Sequence, residues 1–360
     1  MARIAAVASA FPAHVFSQAE ITDTIAAMVT PDRSKQGVLR RLHASSRVET
    51  RHLVMPLEAY REQETFTRSN AMFVTVATDL LERALLDALD TAGLRPADVD
   101  YLMFTSVTGI SAPSVDALLV ARIGMRPDVR RVPIYGLGCV AGAAGIARVN
   151  DYLIGHPHEV GVLIAVELCS LTFQHGDDSM GNMVASGLFG DGAAAVVMVG
   201  DERARGMSAT GPEVIDARSR LYPGTEEVIA FTASEAGFRI VLTAGVSPLV
   251  EQNFGEDVTQ FLAANGLTVS DIDSWIAHPG GPRVLESFQT ALALDGDVFE
   301  NSWRSLAEYG NLSSVSVLEI LAEELERPRS AGEDTLLFAL GPGVSAELVL
   351  LRWPDERISV

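Results

Sequence analysis

Cys139 is one of two cysteines in a chain of 360 residues, and its setting suits a nucleophile. It stands in Tyr135-Gly136-Leu137-Gly138-Cys139-Val140-Ala141-Gly142-Ala143-Ala144-Gly145. The glycines before it permit a sharp turn from strand into helix. The small residues after it let the new helix pack closely inside the protein. A cysteine at a helix N-terminus faces the positive end of the dipole, which favours the thiolate, the reactive form. Such a nucleophile suits acyl transfer, because thioester exchanges for thioester at little energetic cost. A buried free cysteine is also often a plain small hydrophobe, so this segment alone leaves both readings open. Cys169, in Val166-Glu167-Leu168-Cys169-Ser170, lacks the glycine turn and reads as structural or as part of a pocket wall.

Two further residues stand where such chemistry would use them. His278 ends an apolar strand and precedes Pro279-Gly280-Gly281-Pro282, a loop stiff enough to aim it into a cleft. Asn311 lies in Glu308-Tyr309-Gly310-Asn311-Leu312-Ser313-Ser314, just before a helix. Each has a plain alternative, a structural histidine and a helix N-cap. His14, His43, His52, His156, His158 and His175 sit in polar or loop contexts and look less organised. Only in combination do these signals become specific.

The elements that must position them alternate along the chain. Strands are expected at Ala2–Ala10, Val99–Thr105, Val132–Tyr135, Val160–Glu167, Gly192–Val199, Ser274–Ala277, Thr335–Leu340 and Glu347–Arg352. Helices are expected at Met72–Thr91, Pro113–Ile123, Val140–Ile154, Leu249–Asn265, Val284–Leu294 and Ser313–Leu325. The apolar runs 160–167 and 192–199 suit strands covered on both faces. The alternation argues an α/β class with helices covering the sheets. The second half repeats the style of the first, with a join near Gly200–Gly211, dividing the chain into 1–205 and 206–360.

Bulk properties exclude several function classes. Formal charge is 27 − 47 = −20, which argues against nucleic-acid binding, since phosphate neutralisation needs a basic face. Two cysteines make no disulfide framework, and no Cys-x-x-Cys or His-x-x-x-His spacing suggests a metal site. A reducing, cytoplasmic setting fits best. The apolar segment Ile4 to Phe11 is short and ends at Pro12, so it reads as a first strand and not as a signal peptide. No apolar stretch approaches a membrane-spanning length.

Five segments then carry a resemblance. Gly138-Cys139-Val140-Ala141-Gly142, Leu188-Phe189-Gly190-Asp191-Gly192-Ala193, Ala277-His278-Pro279-Gly280-Gly281-Pro282, Tyr309-Gly310-Asn311-Leu312-Ser313-Ser314 and Gly341-Pro342-Gly343 resemble the signatures of type III polyketide synthases, the chalcone and stilbene synthase-like enzymes. They fall in family order over nearly the whole chain. The resemblance implies a thiolase-like αβαβα layered fold built from two duplicated halves, and a homodimer. It implies a catalytic set of Cys139, His278 and Asn311. Cys139 would take an acyl group from coenzyme A, and His278 would pair with its thiolate. His278 and Asn311 would hold the malonyl-CoA carbonyl while CO2 leaves. No cofactor is implied; acyl-CoA and malonyl-CoA are substrates.

The resemblance also assigns walls and mouth. Phe189 would stand between the coenzyme A tunnel and the cavity. Asp191 would be scaffold, and Gly341, Pro342 and Gly343 would shape the substrate cavity. Arg283 matches a family cation position for coenzyme A. Arg40, Arg41, Arg47 and Arg51 are the N-terminal candidates, with Arg47 and Arg51 preferred and the register open. The segment Glu167 to Phe173, with Cys169 and Thr172, looks like bacterial members that act on fatty acyl starters. Ile240 falls where plant enzymes carry a second gatekeeping Phe, and Ala112 where they carry a larger Met at the dimer contact. The reading is therefore a fatty acyl starter, extended with malonyl-CoA and cyclised to an alkylpyrone or alkylresorcinol. The alternative is a ketoacyl-acyl-carrier-protein synthase III-like enzyme with a single condensation, a family that typically has Gln-Ala-Asn after the His.

Overall fold

The computed structural model describes residues 1–62, 65–207, 211–235 and 237–354. In chain order its strands are β1 (Arg3–Ala10), β2 (His14–Ser17), β3 (Thr50–Leu53), β4 (Tyr101–Thr105), β5 (Arg130–Ile134), β6 (Val160–Leu168), β7 (Asp191–Val199), β8 (Glu213–Leu221), β9 (Ile229–Ser234), β10 (Gly237–Leu242), β11 (Ser274–Ala277), β12 (Asp334–Gly341) and β13 (Ser345–Arg352). Nine of them run β11-β12-β13-β8-β1-β7-β6-β4-β5. The two sides of this sheet meet at one corner, where Arg3 of β1 pairs with Glu213 of β8.

The two sides repeat one plan. On the first, β1 is antiparallel to β7, β7 antiparallel to β6, and β6 parallel to β4. On the second, β8 is antiparallel to β13, β13 antiparallel to β12, and β12 parallel to β11. Strand for strand, β8-β13-β12-β11 repeats β1-β7-β6-β4, which is the duplication inferred from the sequence. The join expected near Gly200–Gly211 runs through 208–210, outside the described residues, as does the chain end 355–360.

Three apolar clusters separate the layers. The long helix Phe66–Thr91 packs its face of Phe73, Ala77, Leu81 and Leu85 on one side of β1, β6 and β7. The helices Ala141–Gly155 and Ser316–Glu326 lie between the two sheet sides, sharing a core with Leu163, Val196, Leu337 and Val349. The helices Val246–Ala264 and Pro282–Ala291 cover the far face of the second side through Phe254, Phe261 and Phe288 against Phe338. This is α/β layering in the order helix, sheet, helix, sheet, helix. Because β6, β7 and β12 have helices on both faces, every residue in them is buried, as continuous apolar runs require.

The central layer is thin because its residues are small. A Cβ on Gly142 would lie 2.1 Å from the Ser314 carbonyl oxygen, and one on Gly145 would lie 2.5 Å from Leu163. Both glycines allow a neighbour to approach closer than any side chain permits.

Some elements differ from the sequence expectation. The helix expected from Met72 starts at Phe66, where the Thr65 side chain caps it by accepting from the Arg68 amide. The helices Gln18–Val29, Arg33–Ser45 and Glu300–Tyr309 were not foreseen, nor were β2, β3, β8, β9 and β10. β8 reads EVIDARSRL, a polar sequence, and its burial falls away toward Leu221. Its place comes from pairing with β13, a non-local contact that local patterning does not carry.

Gly142→Ala is expected to destabilise the protein by ~2 kcal/mol, because overpacking a tight contact costs about that much. Gly155→Ala, at the end of the same helix, has nothing within 4 Å of its added Cβ and is expected to be neutral or slightly stabilising. Urea unfolding of both variants checks this. Equal effects would contradict the close-approach account.

Candidate active site

Cys139 sits in a single tight helical turn, Gly138–Val140, that feeds directly into the helix Ala141–Gly155. Gly138 takes φ 57°, the left-handed conformation the turn needs. The turn is braced from behind. A Cβ on Gly138 would meet Pro342 at 2.6 Å, and one on Gly341 would meet the Leu137 carbonyl oxygen at 2.6 Å. From the front, the Cys139 thiol donates to Ser313 Oγ at 3.4 Å.

Ser313 belongs to the loop that carries Asn311. The Asn311 Oδ1 accepts from the Ser313 amide at 2.8 Å. The N-cap position of the short turn Ser313–Val315 is held by Leu312, and the Asn311 carboxamide closes the loop just before it. With Oδ1 so engaged, the side-chain Nδ2 is the donor left for another partner. The loop is pinned at both ends of Asn311: its amide donates to the Leu188 carbonyl at 2.8 Å, and its carbonyl accepts from the Gly190 amide at 3.0 Å. This places Phe189 beside Asn311. Ser313 is a non-glycine residue at φ 53°, a strained conformation of the kind that concentrates at functional sites.

His278 extends β11, its amide donating to the Phe338 carbonyl at 3.0 Å. The loop after it turns at Gly281, whose added Cβ would lie 3.5 Å from Leu188. Leu188 is therefore flanked by the His278 loop on one side and by the Asn311 loop on the other. The segments of Cys139, His278 and Asn311 converge on the Leu188–Gly190 turn and the Asn311–Ser314 loop. His278 is 2 % exposed, and its buried Nδ1 has no partner among the described residues.

Burial governs the ionisation of this site. The Cys139 thiol is pushed up to about 12 by burial, with the nearby Glu167 carboxylate adding to the effect. Burial also holds the His278 imidazole down at about 3. Loss of hydration in this buried site thus works against both charged forms, opposing the helix N-terminus that favours a thiolate.

Glu167 was not foreseen as a site residue. It is 0 % exposed, at the end of β6. Its Oε2 accepts from the Val107 amide at 3.1 Å, Thr108 Oγ1 at 3.1 Å and Ser106 Oγ at 3.3 Å. Its Oε1 accepts from Ser314 Oγ at 2.7 Å and Ser313 Oγ at 3.5 Å. Burial raises its pKa to about 7 against these bonds. A thiol–hydroxyl–carboxyl chain thus runs from Cys139 through Ser313 to Glu167. The signal was available: one glutamate in the run Val160–Leu168 is a charge in an otherwise wholly apolar strand.

A cavity with an envelope of about 830 Å³, open mouth included, adjoins this chain. Phe189, Cys169, Thr172 and Ile240 line it together with Thr108 and Ser313. Phe231, on β9, lines it too and was not foreseen. Asp191 is scaffold: its carboxylate accepts from the Ser170 amide and hydroxyl at 2.8 and 2.5 Å, and from the Val54 amide at 2.9 Å.

Gly341 and Pro342 brace the Cys139 turn, and Gly343 donates to the Ile229 carbonyl at 3.0 Å. One expectation needs correction. Arg51 is not a cation at a tunnel mouth. It is 3 % exposed, lines the cavity, and donates to the Phe189 carbonyl and to Gln18 Oε1, each at 2.8 Å. Its strand β3 turns it inward to hold the Phe189 backbone. Arg47 and Arg283 are exposed, as a cation for a soluble anion must be. Arg47 pairs with Glu286 at 3.2 Å and stacks on Trp303 at 4.4 Å, and Glu286 lies one helical turn beyond Arg283.

Among the described residues no cluster of three or more His, Cys, Asp or Glu is placed to hold a metal ion. No helix among them is long and apolar enough to cross a membrane.

Glu167 makes the fold pH-sensitive in a defined direction. Its folded pKa, about 7, lies above the ordinary 4.5. The stability it contributes is therefore complete below about 4.5 and is lost as pH rises through about 7. In denaturation curves, the stability of the wild type relative to Glu167→Gln should fall across that interval. A difference that stays flat or rises would contradict the assignment.

Comparison with known proteins agrees with this geometry. The family model for chalcone and stilbene synthases, N-terminal domain, matches residues 1–202, and that for the C-terminal domain matches residues 213–353. A 1,3,6,8-tetrahydroxynaphthalene synthase of Streptomyces peucetius subsp. caesius is 49% identical over 97% of this chain and 93% of its own. The alpha-pyrone synthesis polyketide synthase-like Pks18 of Mycobacterium tuberculosis is 31% identical over 97% of this chain and 91% of its own. The crystal structure of 1,3,6,8-tetrahydroxynaphthalene synthase from Streptomyces coelicolor A3(2), a bacterial type III polyketide synthase, superposes with a TM-score of 0.90 at 32% identity, covering 98% of this chain and 100% of that one. The chain belongs to the chalcone and stilbene synthase family and is a bacterial type III polyketide synthase, an acyltransferase that builds chains by decarboxylative condensation.

Proposed function

We propose that Cys139 carries the growing chain as a thioester, and that His278 and Asn311 generate the nucleophile that extends it. The observation that carries this reading is the contact between the Cys139 thiol and Ser313, two residues from Asn311, at the wall of the cavity. The thiol proton passes to the neutral His278 imidazole as Cys139 attacks an acyl-CoA, and coenzyme A leaves as a thiol. Malonyl-CoA then places its thioester oxygen against Asn311 Nδ2 and the His278 ring. Loss of CO2 leaves an enolate, whose negative oxygen these donors stabilise. The enolate carbon attacks the Cys139 thioester, forming the new carbon–carbon bond and releasing the Cys139 sulfur. The extended chain, now on coenzyme A, can reload. The buried environment suits this sequence, because charge arises only during the reaction and meets fixed dipoles when it does.

The cavity lining is mainly apolar, and its polar side chains are engaged within the protein: Thr108 and Ser313 on Glu167, Ser170 on Asp191, Thr172 on the Cys169 carbonyl, Gln174 on the Phe238 carbonyl and Asn182 on the Asp177 carbonyl. The preference between products comes from the relatives. The relative with 49% identity is named for a tetrahydroxylated naphthalene, and we therefore favour a small polyhydroxylated aromatic, built chiefly from malonyl-CoA. The long-chain reading, a fatty acyl starter ending as an alkylpyrone or alkylresorcinol, is the second. It is supported by the apolar end at Ile21, Ile25, Leu53 and Leu57 and by the alpha-pyrone-forming relative. A ketoacyl-acyl-carrier-protein synthase III-like single condensation is not favoured.

Arg47 and Arg283 are proposed to hold coenzyme A phosphates. The working form is proposed to be a homodimer, closed over the open edge of β5, where Ile110, Val132 and Tyr135 are exposed. Such an edge ordinarily needs cover. The halves are proposed to join at residues 205 and 206. A cytoplasmic location accords with two free cysteines.

With labelled malonyl-CoA as sole substrate, the purified protein should release labelled CO2 and an aromatic product of several two-carbon units, read by mass spectrometry. A product that forms only when a long acyl-CoA is added would favour the alkylpyrone reading. His278→Ala should slow malonyl-CoA decarboxylation by about a hundredfold or more; an unchanged rate would remove it from the enolate-stabilising role.

A further inference from the structure

One wall of the cavity is a separate piece of structure. β9 and β10 form their own two-stranded sheet, outside the nine-stranded one. Phe231 on β9 and Ile240 on β10 are direct cross-strand partners, and both line the cavity. The position of this hairpin therefore sets how far two bulky side chains stand into the space where a chain grows.

The hairpin is tied across the cavity rim at one point of charge. Arg239, next to Ile240, pairs through Nη2 with Asp177 Oδ2 at 2.7 Å. Beside it, Gln174 Nε2 donates to the Phe238 carbonyl at 3.2 Å. The opposing segment, residues 173–179, is itself fixed. The Gly176 amide donates to the Met28 carbonyl at 2.9 Å. Asp178 pairs with Lys35 at 2.5 Å. The Asp177 carbonyl accepts from Asn182 Nδ2 at 2.7 Å. Asp177 also lines the cavity, and its side chain is 14% exposed against 48% for Arg239. One partner thus stands in a well-bonded segment, and the other stands on the two-stranded sheet opposite it.

We propose that the Asp177–Arg239 pair is a latch that seats the β9–β10 hairpin against residues 173–179 and so sets the chain length at which the product is released. The two are positioning residues, acting through Phe231 and Ile240, and the inference rests on the cavity being the polyketide site argued above. The pair also has an electrostatic duty. Malonyl-CoA carries a free carboxylate, and an Asp177 left without Arg239 would repel it at the rim. Loss of Arg239 alone should then harm substrate binding more than loss of both charges.

The test compares Arg239→Ala, Arg239→Lys, Asp177→Asn and the double variant Asp177→Asn/Arg239→Ala. Arg239→Ala is expected to raise KM for malonyl-CoA roughly fivefold, the scale of one partly exposed ion pair, and to shift the distribution of product lengths. The double variant should return KM toward the wild-type value while the product distribution stays shifted, because the repulsion is gone but the ion pair that seats the wall is still absent. Arg239→Lys should keep both wild-type values, which separates a latch from a general loss of folding. Wild-type KM and products in Arg239→Ala would overturn the proposal, as would a double variant no better than the single one. Intact-mass measurement of acyl loading runs alongside. Loading that persists in Cys139→Ala would defeat the reading of the site itself, whereas wild-type loading with unaltered products in Arg239→Ala defeats only the latch.

Discussion

The site depends on one close approach: the start of the helix Ala141–Gly155 lies directly against the backbone of Ser314, with no side chain between them at Gly142. That contact joins the two repeats of the fold at the point where they must cooperate. The helix comes from the first repeat and carries Cys139 at its head. The loop comes from the second and carries Asn311 and Ser313. A methyl group at Gly142 would push them apart, and the thiol would lose Ser313. The run of small residues after Cys139 is therefore the geometric condition for a composite site.

The electrostatics follow from the same closeness. A site formed between packed layers is buried, and burial raises the Cys139 thiol, lowers the His278 imidazole and raises the Glu167 carboxyl toward neutrality. Glu167 is kept in place by donors from two segments, 106–108 and 313–314. It ties Ser313, the hydrogen-bond partner of Cys139, to the strand that leads into the cavity wall at Cys169. A buried acid so bonded costs stability when ionised, and it gives a single arrangement to the hydroxyls around the Cys139 sulfur.

Much of this was legible in the residues. The alternation of apolar runs marked the buried strands β6, β7, β12 and β13, because strands covered on both faces have little choice of composition. The glycine turn before Cys139, the stiff loop after His278 and the Asn311–Ser314 loop could be read as parts of one site once taken together. What was hidden was of two kinds. β8 is a polar strand placed by a partner distant in sequence, β13, whereas β9 and β10 pair only with each other, outside the main sheet. The arginines were hidden for a different reason: Arg51 and Arg47 stand in one short stretch, and the alternation of β3 turns Arg51 into the cavity wall while Arg47 faces solvent. Composition cannot tell those directions apart. The push of burial against ionisation at Cys139 was hidden too, because a helix start suggests a dipole and the sequence does not state burial.

The central claim is that Cys139 is the residue that holds the chain. It is tested most directly by incubating the protein with labelled malonyl-CoA, quenching in acid, and mapping the acylated peptide by mass spectrometry. Label confined to the peptide containing Cys139 is the result this structure predicts. Label on the peptide containing Cys169, or on neither, would contradict it.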